Sequence, residues 1–201
     1  MSYLPDFLLA ELCEKYNLVT PYEPTLVNPA SVDLRLGREF VNLSNRGIYY
    51  GVKDEVNAQE LWTGCAAPGQ RFVADIVKLE PGVALLATTL EKVSIPDDAI
   101  DFETISPTLR VPALVADVKL KSSAARLGLD HALAGWVDPG FSGTLTLEFH
   151  AHRPVELLAG KCYVQLCVST MLEAPRKGYQ QTGRYTGEHA IGAVLAREGG
   201  R

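Results

Sequence analysis

A glutamate on the polar face of a predicted strand is the strongest candidate for acid–base chemistry in this chain. The sequence TLTLEFH (144–150) alternates strictly, so its leucines and phenylalanine share one face of a strand. The other face carries Thr144, Thr146, Glu148 and His150. A carboxylate in a partly buried polar wall acts as a general acid and base when desolvation brings its pKa toward the working pH. The alternative is a solvated glutamate on an exposed sheet face.

A second group of polar residues lies in the segment KSSAARLGL (121–129). Two hydroxyls, those of Ser122 and Ser123, precede a short helical pattern that a glycine can end, which predicts a serine-capped turn. Such a turn points backbone N–H groups outward, and Lys121 and Arg126 add positive charge, so the segment suits a phosphate group. The alternative is an ordinary capped turn with a solvated arginine.

A third candidate is the tight turn in AGWVDPGFSG (134–143), which carries an acid and an aromatic residue. Asp138 can accept a hydrogen bond from a sugar hydroxyl. Phe141 can lie beneath the sugar ring, because an aromatic face packs well against the apolar side of a furanose. An Asx-type turn with a core phenylalanine is an equally good interpretation of these residues by themselves.

Metal-dependent and nucleophilic mechanisms find little support in the sequence. His150 and His152 have a spacing that can bind a metal only if a third ligand arrives from elsewhere, and no HExxH motif or zinc-deaminase signature occurs. The GxSxG elbow, the Walker loop and the GxGxxG fingerprint are absent as well. Zinc catalysis, covalent serine hydrolysis and Rossmann-type cofactor binding are therefore disfavoured.

The elements that must position these residues are predicted to be mostly β-strands. Alternating or β-branched runs between turn residues predict strands at 31–36, 48–52, 72–79, 83–88, 111–119, 144–150 and 162–168. Helical patterns are confined to 7–16, 123–127 and 190–197. We expect one all-β domain of barrel or sandwich type over the 201 residues, ending in a mobile arm over 178–201.

The composition of the chain limits which ligands and which cellular compartment we expect. The chain has a net charge of −5 and lacks the clustered Lys/Arg residues with which proteins hold nucleic-acid polymers. A small anionic ligand remains compatible with this composition. The sequence shows no signal peptide and no membrane-length apolar run, so we expect a soluble, cytoplasmic protein. Without a CxxC pair, the four cysteines are expected to be reduced, buried thiols.

Three segments occur in the order found in dCTP deaminases: NPASVDLRLG (28–37), KSSAARLGL and AGWVDPGFSGTLTLEF (134–149). The chain resembles the dCTP deaminases of the dCTP deaminase and dUTPase superfamily over roughly half its length. This resemblance implies a distorted jelly-roll β fold with a few accessory helices, and a homotrimer with active sites between neighbouring subunits. It also implies that Mg²⁺ reaches the site on the triphosphate, with no metal held by protein side chains.

The resemblance also implies roles for individual residues. Glu148 resembles the family's catalytic glutamate, and Ser122 and Arg126 resemble the residues that position the attacking water and the base. Lys121, Ser123 and Gln165 match phosphate-contacting positions, and Asp138 and Phe141 match positions that hold the deoxyribose. The remaining residues expected to bind substrate are Ala134, Tyr179, Arg184, Tyr185 and Glu188.

Three departures from the family pattern concern the substrate pocket. Arg184 and Glu188 stand where the family has lysine and glutamine, so an anion replaces an amide in the arm. The segment 100–114 is an apparent insertion, and the loop between Gly128 and Ala134 is one residue shorter than in the family. These differences bear on substrate choice.

The leading functional hypothesis is hydrolytic deamination of dCTP to dUTP and ammonia. Glu148 favours this reaction over that of a dUTPase, whose family ordinarily lacks a glutamate at this position. The alternatives are a dUTPase or a bifunctional enzyme that releases dUMP and pyrophosphate, and a non-catalytic relative that only binds nucleotides.

Overall fold

Long antiparallel strands with one apolar face make up most of the chain. The computed structural model describes residues 2–42, 71–102, 110–132 and 135–179. The helices described are α1 (Asp6–Tyr16), a 3-10 helix (Pro24–Leu26) and α2 (Ser122–Arg126). The strands are β1 (Val19–Thr20), β2 (Val27–Asn28), β3 (Ser31–Asn42), β4 (Arg71–Val73), β5 (Ile76–Leu79), β6 (Leu85–Ser94), β7 (Ile100–Asp101), β8 (Arg110–Val111), β9 (Leu114–Leu120), β10 (Leu129–His131), β11 (Trp136–Val137), β12 (Ser142–Ala151), β13 (Val155–Leu158) and β14 (Cys162–Thr170).

One sheet contains most of these strands and curls on itself. Its main path runs β10-β12-β6-β3-β14-β9-β11, with β1 on β6 and with β2 and β4 on β3. The first half of β3 pairs with β14 and the second half with β6, with a register shift between Leu36 and Phe40. Gly37 lies at this shift, where a Cβ atom would come within 2.6 Å of the Thr88 hydroxyl. The irregularity bends the long strand and thereby curls the sheet.

The core fills the space inside this curl. Val32 and Leu34 of β3 and Leu147 and Phe149 of β12 belong to one buried cluster, and each is at most 1% exposed. Helix α1 adds its leucines to the same cluster. Because successive residues of a strand point to opposite faces, the same strands that build the core send their polar residues outward.

Most predicted elements are confirmed, with changes at their ends. The predicted strand 72–79 is wrong as a single element, because a bend at Asp75 separates β4 from β5. The predicted strand 111–119 is likewise divided, since Pro112, which has no N–H for a ladder, separates β8 from β9. The predicted strand 48–52 and helix 190–197 lie outside the described residues. Among those described, no helix is long and apolar enough to cross a membrane.

Candidate active site

Glu148 lies where the alternation predicted it, on the outward face of β12. The strand alternates between buried and half-exposed positions, with Leu145, Leu147 and Phe149 buried. Glu148 is half-buried and pairs across the sheet with Leu86 of β6. This burial raises the pKa of the Glu148 carboxyl above its usual range, while the nearby His150 lowers it by a smaller amount. The carboxyl therefore holds a proton at a higher pH than a solvated glutamate, as a group that shuttles protons must.

The serine turn differs from its prediction. Helix α2 begins at Ser122, so Ser122 and Ser123 form its first turn, and the position before it belongs to Lys121. No side chain caps the helix, and the prediction that the serines cap it is therefore wrong. Lys121 has the extended backbone of an N-cap residue, with ψ of 140°, whereas Ser122 is already helical, so the helix starts one residue earlier than the capping pattern requires. Both serines are exposed.

The side chain of Lys121 forms an ion pair with Asp33, so its charge is not free as the sequence suggested. Its Nζ contacts Asp33 Oδ2, and Asp33 Oδ1 accepts a hydrogen bond of 2.9 Å from Asn28 Nδ2. The ammonium group keeps some access to solvent, because the Lys121 side chain is 25% exposed. Arg126, at the other end of α2, is exposed.

Gln165, the other predicted phosphate contact, lies next to this ion pair. It occupies β14, directly opposite Asp33 on β3 and Lys119 on β9. Side chains that face each other across a ladder lie on the same side of the sheet. The Oε1 atom of Gln165 accepts a hydrogen bond of 3.1 Å from Ser31 Oγ. The structure thus brings Lys121 and Gln165 together on one polar face, although 44 residues separate them in sequence.

The turn between β11 and β12 holds Asp138 as expected. The Phe141 N–H donates to the Asp138 carbonyl at 3.1 Å, and Gly140 has a φ of 82°, so residues 138–141 form a type II turn. The side chain of Asp138 accepts a hydrogen bond of 2.9 Å from Trp136 Nε1. The carboxylate is therefore oriented by Trp136, an exposed residue that the sequence analysis did not single out.

Tyr179 is packed against the same turn. Its ring meets the ring of Phe141 edge to face, with centroids 5.7 Å apart, and its N–H donates to the Pro139 carbonyl at 3.3 Å. Phe141 is only 7% exposed. This burial fits a core phenylalanine as well as it fits a residue that packs beneath the sugar ring. Two of the predicted substrate-binding residues, Phe141 and Tyr179, are thus in contact.

Glu148 and helix α2 are separated along the sheet. Leu129, which follows α2, faces Ala151, whereas the Ala132 N–H donates to the Glu148 carbonyl at the other end of β10. Three residues of strand, about 10 Å, therefore lie between Glu148 and the end where the helix is attached. Within the described part of one chain, no hydrogen bond or ion pair joins Glu148 to Ser122 or Arg126.

Several predicted features cannot be placed. Ala134, Arg184, Tyr185 and Glu188 lie outside the described residues, as does the middle of the apparent insertion at 103–109. The two ends of that insertion do pair, because Ile100 faces Val111 in the β7–β8 ladder.

His131 is a buried polar residue that sequence reasoning passed over. Its Nε2 atom is buried and has no hydrogen-bond partner among the described residues, and burial lowers the pKa of its imidazole. The ring borders a cavity of about 30 Å³ between β9, β11 and β12. Alternation within the short strand LDH (129–131) is the one signal that would have placed it inward.

Three of the four cysteines lie in the described part of the chain. Cys13 and Cys167 are buried free thiols, Cys162 is half-buried, and Cys65 lies outside the described residues. Burial raises the pKa of Cys13 to about 12. In the described ranges, no cluster of three or more His, Cys, Asp or Glu side chains could hold a metal ion.

Comparison with solved structures defines the class of fold. The crystal structure of 2'-deoxycytidine 5'-triphosphate deaminase from Agrobacterium tumefaciens superimposes with a TM-score of 0.58 over 84% of this chain and 48% of that one, at 20% identity. The chain therefore has the mostly β, jelly-roll-like fold that the sequence predicted.

Comparison of sequences then gives the family. A family model described as dCTP deaminase-like matches residues 4–171. Proteins named "dCTP deaminase, dUMP-forming" are similar to the chain, including one from Methanoculleus marisnigri at 38% identity over 74% of this chain and 69% of that protein. The relative from Aquifex aeolicus is 35% identical over 94% of this chain and 91% of its own length. The chain belongs to the dCTP deaminase-like family.

Proposed function

We propose that this protein deaminates dCTP and then hydrolyses the resulting dUTP to dUMP and pyrophosphate. The observation that carries the proposal is Glu148, a half-buried carboxyl with a raised pKa on a polar sheet face. The relatives bear the name "dUMP-forming", which favours the bifunctional alternative over an enzyme that stops at dUTP. We therefore adopt the bifunctional alternative, which keeps the deamination of the leading hypothesis and adds the hydrolysis of dUTP.

In the deamination step, Glu148 moves protons between water and the base. It takes one proton from water as the oxygen bonds to C4 of cytosine, and it delivers that proton to N3. It then transfers the remaining hydroxyl proton to the amino nitrogen. The C4–N4 bond breaks, ammonia leaves and the base is uracil. Ser122 and Arg126 hold the water and the base, and their donors stabilise the negative charge that develops during the addition.

In the second step, water attacks the α-phosphorus of dUTP. A new P–O bond forms as the water loses a proton to solvent, the bond between the α-phosphorus and the bridging oxygen breaks, and pyrophosphate leaves. Asp138 assists by holding the deoxyribose and helping to place this water. Lys121, Ser123 and Gln165 contact the phosphates, and Tyr179 and Phe141 lie beside the sugar.

Magnesium enters this proposal with the nucleotide. Around Lys121 and Gln165 the described residues offer ammonium, hydroxyl and amide groups that suit phosphate oxygens, beside the Asp33 carboxylate that pairs with Lys121. When bound to the triphosphate, Mg²⁺ neutralises part of the phosphate charge. The protein residues bind and orient the phosphates around it.

The assembly forms part of the proposal. Glu148 and α2 lie at opposite ends of β10 in one chain, which is the arrangement expected if a neighbouring subunit supplies Ser122 and Arg126 to each site. We propose a homotrimer with three such shared sites.

The test is incubation of the purified chain with dCTP, and separately with dUTP, in magnesium buffer. Nucleotides are resolved by ion-exchange chromatography while ammonia is assayed. We expect ammonia and dUMP from dCTP, with no accumulation of dUTP. The variant Glu148→Gln is assayed in the same way. Its matched control is Glu156→Gln, which changes an exposed glutamate on β13.

Each alternative gives a different product pattern. Accumulated dUTP without dUMP contradicts the second step, and hydrolysis of dUTP alone contradicts deamination. Saturable binding of both nucleotides without any product identifies a binding protein that lacks catalysis.

A further inference from the structure

The segment NPASVD (28–33) has no role in the reaction proposed above, although it leads into β3, the longest of the described strands. It forms the β2–β3 hairpin, in which Asn28 faces Ser31 and Val27 faces Val32. Val32 is fully buried in the core. Ser31 and Asp33 alternate with it and therefore lie on the opposite face, toward Lys121 and Gln165.

Ser31 determines which end of the Gln165 side-chain amide is available to a ligand. Its hydroxyl donates to Gln165 Oε1 at 3.1 Å, and Ser31 itself is only 6% exposed. With its oxygen occupied, the amide presents the Nε2 atom and its two N–H donors to the half-exposed face. A phosphate oxygen accepts hydrogen bonds and cannot use the amide oxygen, so the orientation fixed by Ser31 is the one that binds an anion.

Asp33 fixes the Lys121 ammonium group in a similar way. The carboxylate is itself held by Asn28, whose Nδ2 donates to Asp33 Oδ1 at 2.9 Å and to the Leu26 carbonyl at 3.3 Å. The other carboxylate oxygen contacts Lys121 Nζ. An ammonium group has three N–H donors, so contact with one carboxylate leaves donors for a ligand. The contact also removes much of the rotational freedom of a long side chain before the ligand arrives.

We propose that the β2–β3 hairpin is a positioning element for the triphosphate, in which Ser31 orients the Gln165 amide and Asp33 orients the Lys121 ammonium group. This inference rests on the proposed function, which places Lys121 and Gln165 at the phosphates. Neither Ser31 nor Asp33 needs to touch the nucleotide, so both are positioning residues rather than catalytic ones.

The first test compares Ser31→Ala and Ser31→Thr with the unmodified chain. The readouts are the affinities for dUpNHpp, a dUTP analogue that resists hydrolysis, and for deoxyuridine, which has no phosphates. We expect Ser31→Ala to weaken dUpNHpp binding about fivefold, the equivalent of one neutral hydrogen bond. Deoxyuridine binding should not change, and Ser31→Thr, which keeps the hydroxyl, should restore the affinity for dUpNHpp.

Ser169→Ala is the matched control, because Ser169 is a serine of similar burial on β14, at 7% exposed. It should leave both affinities unchanged. Unaltered dUpNHpp binding in Ser31→Ala would overturn the role of Ser31. An equal loss for deoxyuridine would do so too, because it would indicate a general disturbance of the site.

The second test is a double-mutant cycle between Asp33→Asn and Lys121→Met. If Asp33 positions Lys121 for the ligand, Lys121→Met weakens dUpNHpp binding strongly in the unmodified chain and at least threefold less strongly in the Asp33→Asn background. A larger loss in that background has the opposite meaning: Asp33 then competes with the phosphates for Lys121, and its positioning role is overturned. Asp75→Asn, in an exposed ion pair with Arg38, should leave the effect of Lys121→Met unchanged.

The binding readout separates this inference from the proposed function. A chain that binds dUpNHpp but produces nothing from dCTP contradicts the proposed reaction. The double-mutant cycle can still be measured in that case, because it depends only on binding. Normal turnover with no effect of Ser31→Ala and no coupling in the cycle contradicts only the positioning role. Failure of the unmodified chain to bind dUpNHpp contradicts both.

Discussion

At the scale of single residues, the chemistry depends on how far a carboxyl is removed from water. Glu148 sits on a polar strand face yet is half-buried, and this burial raises its pKa. The position costs stability at neutral pH, because the charged form is poorly solvated there. Such costs are expected where a side chain serves a reaction rather than the fold.

Replacing Glu148 with glutamine should therefore separate activity from stability. We expect Glu148→Gln to lose ammonia release from dCTP by at least a hundredfold, the usual contribution of a general acid or base. The melting temperature at neutral pH should be equal to or higher than that of the unmodified chain, because a neutral amide replaces a poorly solvated charge. Activity assays and thermal unfolding measure the two effects, and full deamination by the variant would remove Glu148 from the mechanism.

His131 carries a second prediction, on pH dependence. Burial lowers the pKa of its imidazole below the ordinary value of 6.5 in the folded chain. Below that pH the unfolded chain gains a proton that the folded chain does not, so the stability associated with a neutral His131 is present at higher pH and is lost on acidification. We expect His131→Leu to flatten the fall in the free energy of unfolding between about pH 7 and pH 5.

Urea denaturation at several pH values measures this slope. Leu129→Ala is the matched control, because it removes a buried side chain of the same short strand but no titratable group, and it should leave the slope unchanged. An identical slope in His131→Leu and the unmodified chain would show that the buried imidazole does not contribute.

At the scale of elements, the type II turn at 138–141 connects the sugar-binding candidates to the sheet. Asp138 follows β11, Phe141 precedes β12, and Tyr179 packs against the turn from the start of the C-terminal segment. Gly140 holds the positive φ of 82° that this turn type requires. The geometry of Asp138 therefore depends on a glycine two residues away.

Gly140→Ala tests this dependence. An alanine at a positive φ should lower the free energy of unfolding by about 1–2 kcal/mol. Its Cβ would also approach Asp97 Cβ at 3.3 Å, which shifts the turn and should raise the KM for dCTP. Gly160→Ala is the control, because Gly160 has a φ of 79° but no atom within 4 Å of the added Cβ. It should lose comparable stability while keeping the KM of the unmodified chain. Equal KM values for both variants would show that the turn does not affect substrate binding.

At the scale of the whole molecule, the separation of Glu148 from α2 is the feature that matters most. The proposed trimer resolves it by pairing Glu148 of one subunit with Ser122 and Arg126 of another.

Mixing two inactive variants tests the shared site. Chains carrying Glu148→Gln and chains carrying Arg126→Gln are unfolded together and refolded, so that subunits exchange. If each site takes these residues from different subunits, about a quarter of the sites contain both intact residues and activity returns. Each variant refolded alone is the control. Activity that stays at the level of the controls would place Glu148 and Arg126 of one chain in the same site.

The sequence by itself determined the type of fold and the faces of its strands. Alternation in TLTLEFH placed Glu148 outward and its apolar neighbours in the core, because a period of two is a local property of a strand. The tight turn at Asp138 followed for the same reason, since proline and glycine limit the backbone locally.

Only the tertiary structure decided which polar groups meet. Lys121 pairs with Asp33, 88 residues away, and Gln165 with Ser31, 134 residues away. These contacts depend on the register between strands that are distant in sequence, which no local pattern specifies. The start of α2 at Ser122 was not specified either, because the local preference for a serine cap is weak.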